Sequence, residues 1–206
     1  MQQILARCAQ AFEDDKYTTL FYEAVRLTFE NYPKNVDKLA VLLKFTILND
    51  LYRTNIMDKV KIVDHLYRLS TEENLDALLK SGNLDAVSKI RCGHGIRTKK
   101  TGKERNFYSF ATKYCHFSNP KCYPIYDQYV EKAIMKLREG DYIQFRNQND
   151  LHDPQTFRDI IYQIIQKSGL DSYQKVDRAL WRYGQHLAEI WTVPGLPRWD
   201  ARLQEH

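Results

Sequence analysis

Apolar residues recur every three or four positions along nearly the whole chain. This is the period of amphipathic α-helices, so the sequence predicts an all-α protein. We find no β-hairpin pattern and no internal repeat. The positions predicted to face the core, helix by helix, are Ile4, Leu5, Cys8, Ala9 and Phe12; Leu20, Ala24 and Leu27; Leu39, Leu43 and Ile47; Ile56, Val60, Val63 and Tyr67; Leu75, Leu78 and Leu79; Phe107, Phe110, Ala111 and Tyr114; Val130, Ala133, Ile134 and Leu137; Phe157, Ile160, Ile161 and Ile164; and Val176, Leu180, Tyr183 and Leu187.

Short polar side chains mark where several helices begin. An Asp, Asn or Ser at the N-cap accepts hydrogen bonds from backbone N–H groups of the first turn. The predicted starts are Asn35, Asp127, Asp153 followed by Pro154, and either Asp171 or Ser172. The tetrad Ser70–Glu73 has the pattern of a capping box and predicts the start of a short helix. Residues 191–206, which contain two prolines, predict an irregular C-terminal segment.

The composition is that of a folded protein with a substantial core. Of the 206 residues, 43% are hydrophobic, which suits one domain or two lobes that share a cleft. No apolar run reaches the roughly 18 residues of a membrane span, and the N-terminus lacks the features of a signal peptide. The four cysteines form no CxxC pair. We therefore expect a cytoplasmic protein with reduced thiols, no membrane association and no metal site.

The positive charge is concentrated in one glycine-rich loop, residues 91–105. Its basic residues are Arg91, Arg97, Lys99, Lys100, Lys103 and Arg105. With the single acid Glu104 they give the loop a net charge of +5, equal to that of the whole chain. Lys and Arg gain affinity for nucleic acids by displacing counterions from phosphates, so the loop is a candidate DNA-binding element. The alternative is a solvated loop that is basic by chance.

Residues 106–130 predict a helix, a loop with two prolines, and a second helix that opens just after Asp127. Pro124 restricts the residue before it and keeps the chain extended up to the Asp. A carboxylate is therefore held at a helix N-terminus, at the end of a stiff and aromatic-rich loop. By spacing alone, the simplest interpretation of Asp127 is an ordinary N-cap.

This helix–loop–Asp–helix segment resembles the catalytic signature of the helix-hairpin-helix DNA glycosylases, and in pattern it is most similar to the 8-oxoguanine glycosylase branch. The phrase Ile125-Tyr126-Asp127-Gln128-Tyr129-Val130 looks like the family's apolar-apolar-Asp-x-x-apolar motif. The stretch 42–54 looks like the family's early helix, whose polar end fills the gap left by a flipped base. The resemblance covers roughly residues 36 to 140.

The resemblance implies a two-lobed all-α domain spanning residues 1–206. Residues of about 35–110 would form one lobe, and residues 1–34 with 111–206 the other, with the substrate base in the cleft between them. We expect a monomer that binds duplex DNA and uses no cofactor. Some family members bind an iron–sulfur cluster through four cysteines near the C-terminus. Here no cysteine follows Cys122, so that cluster should be absent.

The resemblance also implies roles for individual residues. Asp127 would stabilise the positive charge that develops on the sugar and orient the attacking water. Tyr52 and Arg53 would form the wedge that replaces the flipped base. Asn49 and Asp50 would face the base, although chemistry at the helix C-terminus explains these two residues equally well.

Bifunctional members of the family carry a nucleophilic Lys about 18 residues before the Asp. That position is Ser109 here, which we assign to the base pocket. The nearest lysine is Lys113, which we expect to be a solvated or phosphate-facing charge. We therefore predict a monofunctional glycosylase that leaves an abasic site and does not nick the strand.

The chain departs from the family at the hairpin itself. The family has a Gly-apolar-Gly turn directly before the Lys-bearing helix, and its amides bind a phosphate. The nearest match here is Gly93-His94-Gly95-Ile96, which the basic insert separates from that helix. We expect the basic loop to supply part of the contacts with the DNA backbone. His94 could contact a phosphate, but a lone histidine in a loop is usually solvated.

Three functions remain open from the sequence. We favour a DNA glycosylase, which would act either on a damaged base in host DNA or on a modified base in phage DNA as an antiviral defence. The second is a non-catalytic nucleic-acid-binding protein with the same fold. The third is an all-helical interaction protein whose basic loop is incidental.

Overall fold

Ten α-helices make up most of residues 1–196, the part of the chain that the computed structural model describes. They are α1 (Gln2–Glu13), α2 (Lys16–Asn31), α3 (Lys38–Leu51), α4 (Lys59–Glu72), α5 (Leu75–Ser81), α6 (Asp85–Arg91), α7 (Tyr108–Ser118), α8 (Gln128–Glu139), α9 (Pro154–Ser168) and α10 (Tyr173–Leu187). A 3₁₀ helix, Gln148–His152, precedes α9. Within the described residues no β-strand forms, so the predicted all-α fold class is confirmed.

The helices form two sets of close neighbours. Helix α10 packs against α1, α8 and α9, whereas α3 packs on α4 and α6 packs on α7. Helix α2 contacts members of both sets, namely α1, α3 and α7. One hydrophobic cluster runs through all of them, from Leu5 in α1 to Val193 after α10. The division of the chain into two lobes with a cleft stays a prediction.

Helix α10 approaches α8 so closely that only glycine fits at one position. A methyl group on Gly184 would overlap the carbonyl oxygen and carbon of Tyr129 and lie 2.8 Å from its Cα. Glycine in a helix interior lowers stability by about 1 kcal/mol relative to alanine. Here the glycine allows the α10 backbone to contact the first turn of α8 directly. This contact determines how closely the two helices pack.

Most helix starts and several core faces agree with the sequence. Asp127, Asp153 and Ser172 each accept a backbone hydrogen bond at the N-terminus of α8, α9 and α10, and Pro154 occupies the first turn of α9. The predicted inward faces of α7, α8 and α9 are buried throughout. In α10 the predicted Val176, Leu180 and Tyr183 are buried as well.

The predicted inward face of α2 is wrong. Leu20 and Leu27 are 59% and 48% exposed, and the buried residues are Tyr22, Val25 and Phe29. The same error occurs in α3. The buried positions of α3 are Ala40, Val41, Lys44, Phe45 and Leu48, whereas Leu39 is 59% exposed. Both helices carry apolar residues on more than one face, so their neighbours rather than their own period select the side that is buried.

Asn35 does not cap α3, as the sequence predicted. Asp37 is the N-cap, and Asn35 is buried as the centre of a polar network. Its side-chain oxygen accepts hydrogen bonds from Lys44 and Tyr114, and its amide donates to Asp76. Burial lowers the pKa of Lys44 to about 8, against the opposing effect of Asp76. The sequence does not distinguish an asparagine that caps a helix from one that is buried. Here the packing of α3 on α7 decides which of the two Asn35 is.

The predicted capping box is wrong too. Residues Ser70, Thr71 and Glu72 form the last turn of α4, and Glu73 is its C-cap. Helix α4 therefore runs through the predicted break, and its core residues are Ile62, Val63, Leu66 and Leu69, while Val60 is 71% exposed. Asn74, in a left-handed conformation, makes the turn into α5.

After α10 the described chain is irregular as far as Leu196, in agreement with the sequence. Val193 is buried there, and the Trp191 ring lies 4.2 Å from the Arg182 guanidinium. The rest of the predicted tail, residues 197–206, lies outside the described residues. Among residues 1–196, no helix combines the length and the apolar character that crossing a membrane requires.

Candidate active site

Asp127 lies at the N-terminus of α8, where the extended loop after α7 ends. Its backbone is extended, with φ −151° and ψ 155°, and its Oδ1 accepts the Tyr129 N–H at 2.8 Å. The predicted N-cap is thereby confirmed. The free N–H groups and dipole of the first helical turn stabilise negative charge here. Capping occupies one carboxylate oxygen and leaves Oδ2 for a second interaction.

That second interaction is with Lys113 of α7. Lys113 Nζ lies 3.2 Å from Asp127 Oδ2 and donates further hydrogen bonds to Ser109 Oγ at 2.7 Å and to the Tyr126 carbonyl at 3.2 Å. The side chain of Lys113 is 2% exposed and that of Asp127 is 17% exposed. The expectation of a solvated or phosphate-facing Lys113 is therefore wrong. Nearly every residue of α7 is buried, so a lysine there must find internal acceptors.

Tyr52 and Ser109 complete the immediate surroundings of the Lys113–Asp127 pair. Tyr52 is the C-cap of α3, and its ring centroid lies 5.8 Å from Lys113 Nζ. The ring also packs edge-on against Phe117, with centroids 5.5 Å apart. Of the residues that the sequence nominated for catalysis or base binding, the structure thus gathers Asp127, Ser109 and Tyr52 around the buried lysine.

The remaining nominated pocket residues lie elsewhere at the end of α3. Asn49 Oδ1 accepts the Thr54 hydroxyl at 2.7 Å and the Ile56 N–H at 2.9 Å, so Asn49 closes the turn after the helix. Asp50 lies in a surface groove that also includes Leu43, Thr46, Ile47, Leu51 and Lys59. Arg53 is exposed and has a left-handed backbone with φ 49°. Within the described residues, no hydrogen bond or ion pair joins these three to Asp127.

A second carboxyl group, Asp177 of α10, interacts electrostatically with both members of the pair. Its Oδ1 atom is enclosed and has no hydrogen-bond partner. Burial raises the pKa of Asp177 to about 8; Lys113 opposes this shift and Asp127 adds to it. Sequence reasoning missed this residue because it follows Val176 directly in a helix whose inward positions were assigned to apolar side chains. The only feature of the sequence that could have indicated Asp177 was a charged residue at the edge of an apolar stripe.

The basic loop forms a short hairpin, which we call the basic hairpin (residues 96–105). An antiparallel bridge pairs Arg97 with Glu104, and the Thr98 N–H donates to the Lys103 carbonyl at 2.9 Å. The Arg105 N–H closes the base by donating to the Ile96 carbonyl at 2.8 Å. The exposed basic residues are Arg97, Lys99, Lys100 and Lys103. Arg105 is half-buried over the Phe107 ring. Arg91 is also half-buried, and it donates a hydrogen bond to the His152 carbonyl.

The Gly-His-Gly turn before the basic hairpin is already occupied by an anion of the protein itself. Gly93 and Gly95 both have left-handed backbones, with φ 86° and 72°, and the Gly95 N–H donates to the Glu104 carboxylate at 2.7 Å. His94 is buried and stacks on Phe107, with ring centroids 4.7 Å apart, so the expectation of a solvated histidine is wrong. Aromatic rings on both sides of the loop enclose His94. The sequence alone does not show that these rings come together.

The Lys113–Asp127 pair could take part in two kinds of chemistry. A partly exposed carboxylate is stabilised by a helix N-terminus and by a buried ammonium, and it can support positive charge that develops beside it or hold a water molecule. Lys113 Nζ donates to three acceptors, namely Ser109 Oγ, the Tyr126 carbonyl and Asp127 Oδ2. The amine would have to leave these contacts before it could act as a nucleophile.

Comparison with known proteins places the chain in a family. The model of the HI_0787_N family, described as an N-terminal domain, matches residues 3–122. The chain belongs to this family. A relative from Haemophilus influenzae, described as an uncharacterized protein, is 32% identical to this HI_0787_N protein over 149 residues, which are 71% of this chain and 67% of the relative. No solved structure matches the chain significantly.

The match to the HI_0787_N domain covers α1 from its second residue and the whole of α2 to α7. It therefore contains Tyr52, the basic hairpin and Lys113, but it ends before Asp127 and Asp177. The candidate site is formed jointly by the last helix of this domain and by the helices that follow it.

Proposed function

We propose that this HI_0787_N protein is a DNA glycosylase, which flips a damaged or modified base from the duplex, hydrolyses its N-glycosidic bond and leaves an abasic site. The observation that carries the proposal is the Lys113–Asp127 pair at the N-terminus of α8, beside the ring of Tyr52. The proposal takes nothing from the Haemophilus relative, whose description names no activity.

The geometry suits cleavage of a bond to a sugar carbon. As the base leaves, positive charge develops on the sugar, and a carboxylate fixed nearby lowers the energy of that state. Asp127 is fixed by its capping bond and by Lys113, so little reorganisation is needed when the charge appears. The same carboxylate can accept a proton from the attacking water.

Lys113 fits an electrostatic role better than a covalent one. A Schiff-base nucleophile needs a free amine, and Lys113 donates to three acceptors in the structure. These contacts support the monofunctional reaction that the sequence predicted. The lysine would hold Asp127 in position rather than attack the sugar.

The basic hairpin would bind the DNA backbone. Its lysines are exposed, whereas the Gly95 amide, which could otherwise bind a phosphate, already binds Glu104. The charged side chains of the hairpin would therefore contribute more to phosphate binding than the backbone amides. Two substrate classes follow from the resemblance, a damaged base in host DNA and a modified base in phage DNA, the latter placing the protein in antiviral defence.

The test is base release followed by alkaline cleavage of the abasic sites. The protein and its Asp127→Asn variant are incubated with ordinary, damaged and phage-modified duplex DNA. We expect alkali-dependent breaks that depend on Asp127. Binding without breaks on any substrate would instead favour the alternative, a non-catalytic nucleic-acid-binding protein.

A further inference from the structure

We propose that Asp177 is the general acid that protonates the departing base, and that the substrate is therefore a base that is uncharged in DNA. This inference rests on the proposed glycosylase function and deepens it. It adds a second catalytic carboxyl group, supplied by α10, to the carboxylate of Asp127.

Asp177 lies on the face of α10 that packs against α8. Asp177, Trp181 and Gly184 are spaced by four and three residues and so lie on one face of the helix. That face packs on the first turn of α8, because Gly184 abuts the Tyr129 backbone and the Trp181 ring meets the Tyr129 ring edge-on at 6.4 Å. Tyr129 is two residues from Asp127, so the same face directs Asp177 toward the Lys113–Asp127 pair.

Asp177 interacts with ionisable groups from several helices. On α7 and at the start of α8 it interacts electrostatically with Lys113 and Asp127, and on its own helix with Arg178. Its charge also acts on Tyr22 of α2 and on Tyr52 at the end of α3. Lys113 already donates to Ser109, Tyr126 and Asp127, and Arg178 pairs with Glu13 of α1.

Oδ1 of Asp177 is an enclosed carboxyl oxygen without a donor, although the residue keeps some exposure, and Arg178 Nε beside it is likewise enclosed without a partner. Burying an unpaired carboxylate is costly, and such a group holds its proton instead. In agreement, burial raises the pKa of Asp177 to about 8. At neutral pH the site then places a carboxylic acid, Asp177, near the Lys113–Asp127 ion pair.

The proposed step is balanced. The bond between C1′ and the base nitrogen breaks, and its electron pair goes to the base. Asp177 transfers its proton to the base, and water adds to C1′ while Asp127 takes a proton from that water. The products are a neutral base, the C1′ hydroxyl of the abasic sugar, the carboxylate of Asp177 and the protonated Asp127. Transfer of that proton back to Asp177, directly or through solvent, restores the resting site.

A general acid is useful only for one class of substrate. An alkylated base such as 7-methylguanine is cationic in DNA and leaves as a neutral molecule without protonation. An uncharged base, such as 8-oxoguanine, uracil or 5-hydroxymethylcytosine, would leave as an anion unless it were protonated. A protonated carboxyl group in the site therefore points to uncharged bases.

The experiment measures single-turnover base release from two sets of duplexes. One set carries the uncharged bases 8-oxoguanine, uracil and 5-hydroxymethylcytosine, and the other carries 7-methylguanine. The proteins are wild type, Asp177→Asn, Asp177→Glu and the control Asp171→Asn, which changes an exposed acid at the start of the same helix. Circular dichroism establishes that each variant is folded, and Asp177→Glu restores a carboxyl group if Asp177→Asn is unstable.

We expect wild type to release an uncharged base, with a rate that falls about tenfold per pH unit above the pKa of about 8. Asp177→Asn should lose about 100-fold or more in rate and should no longer show this pH dependence. Asp177→Glu should recover part of the rate, and Asp171→Asn should match wild type.

Three results would overturn the inference. Release of 7-methylguanine alone would refute the substrate class while leaving the glycosylase function intact. An unchanged rate and pH profile in folded Asp177→Asn would refute the role of Asp177 alone. No release from any duplex by wild type would refute both the inference and the proposed function.

Discussion

Lys113 Nζ and Asp127 Oδ2 lie 3.2 Å apart, although the two residues are 14 positions apart in the chain. The intervening segment contains the end of α7 and a loop with two prolines, which returns the chain to within reach of the lysine. The ion pair therefore ties the helix before the loop to the helix after it. This contact joins the HI_0787_N domain to the segment that follows it.

The first prediction concerns Asp127. Asp127→Asn keeps an N-cap but removes the negative charge, so we expect the protein to fold and base release to fall by about 100-fold or more. Alkaline cleavage after single-turnover incubation measures the rate. Asp153→Asn, at the N-cap of α9, is the matched control and should retain wild-type activity. Equal loss in both variants would show that the loss of an N-cap charge anywhere in the fold lowers activity, and would refute a specific role for the charge of Asp127.

The second prediction concerns the chemistry of Lys113. Because the ammonium is held by three acceptors, borohydride should trap no covalent adduct with DNA. Gel electrophoresis after reduction provides the measurement. An adduct that forms with wild type and disappears in Lys113→Ala would show that the enzyme is bifunctional.

A third prediction concerns the stability that the pair provides. Lys113→Met leaves Asp127 without its buried partner, and we expect a loss of about 3 kcal/mol in the free energy of unfolding. Adding Asp127→Asn should restore part of this loss, because the unpaired charge is then gone. Urea unfolding of the two single variants and the double variant gives the coupling energy. Additive losses would mean that the two side chains do not interact.

The basic hairpin should control binding to the DNA backbone. Lys99→Glu combined with Lys100→Glu should weaken DNA binding and reduce the slope of log K against log salt by about 0.9 for each phosphate that the hairpin no longer neutralises. Titrations at several salt concentrations measure both. The same charge change at the exposed Lys16 and Lys121 is the control. Equal effects of the two double variants would indicate general charge rather than a specific binding surface.

His116 should make the fold sensitive to acid. Burial lowers its pKa to about 4, while Nδ1 donates to the Tyr123 carbonyl at 2.7 Å. The unfolded chain, with a histidine pKa of about 6.5, binds more protons than the native state in this window. Stability is therefore lost as pH falls from about 6.5 to 4, by about 3 kcal/mol from this group.

His116→Gln should remove this pH dependence, and urea unfolding at pH 7 and 4.5 tests it. His152→Gln changes an exposed histidine and should behave as wild type. If wild type and His116→Gln lose the same stability on acidification, other groups cause the loss.

Local signals in the sequence were sufficient for the all-α class and for the caps at Asp127, Asp153 and Ser172. A capping side chain interacts with residues two or three positions away, so its partner is visible in the sequence. The same holds for the core faces of α8 and α9, where one narrow apolar stripe leaves a single choice. The assignment of the catalytic role to Asp127 needed the resemblance as well and stays a prediction.

Folding in three dimensions decided everything that depends on distant neighbours. Packing of α2 and α3 against the other helices chose which of their apolar faces is buried, and Asn35 and Lys44 were drawn into the interior with them. The enclosure of α7 turned Lys113 from an expected surface charge into the partner of Asp127. The close approach of α10 to α8 at Gly184 placed Asp177 near both. The physical reason is that burial and the partners of a charge belong to the assembled core, whereas a helix period and a cap belong to one segment of chain.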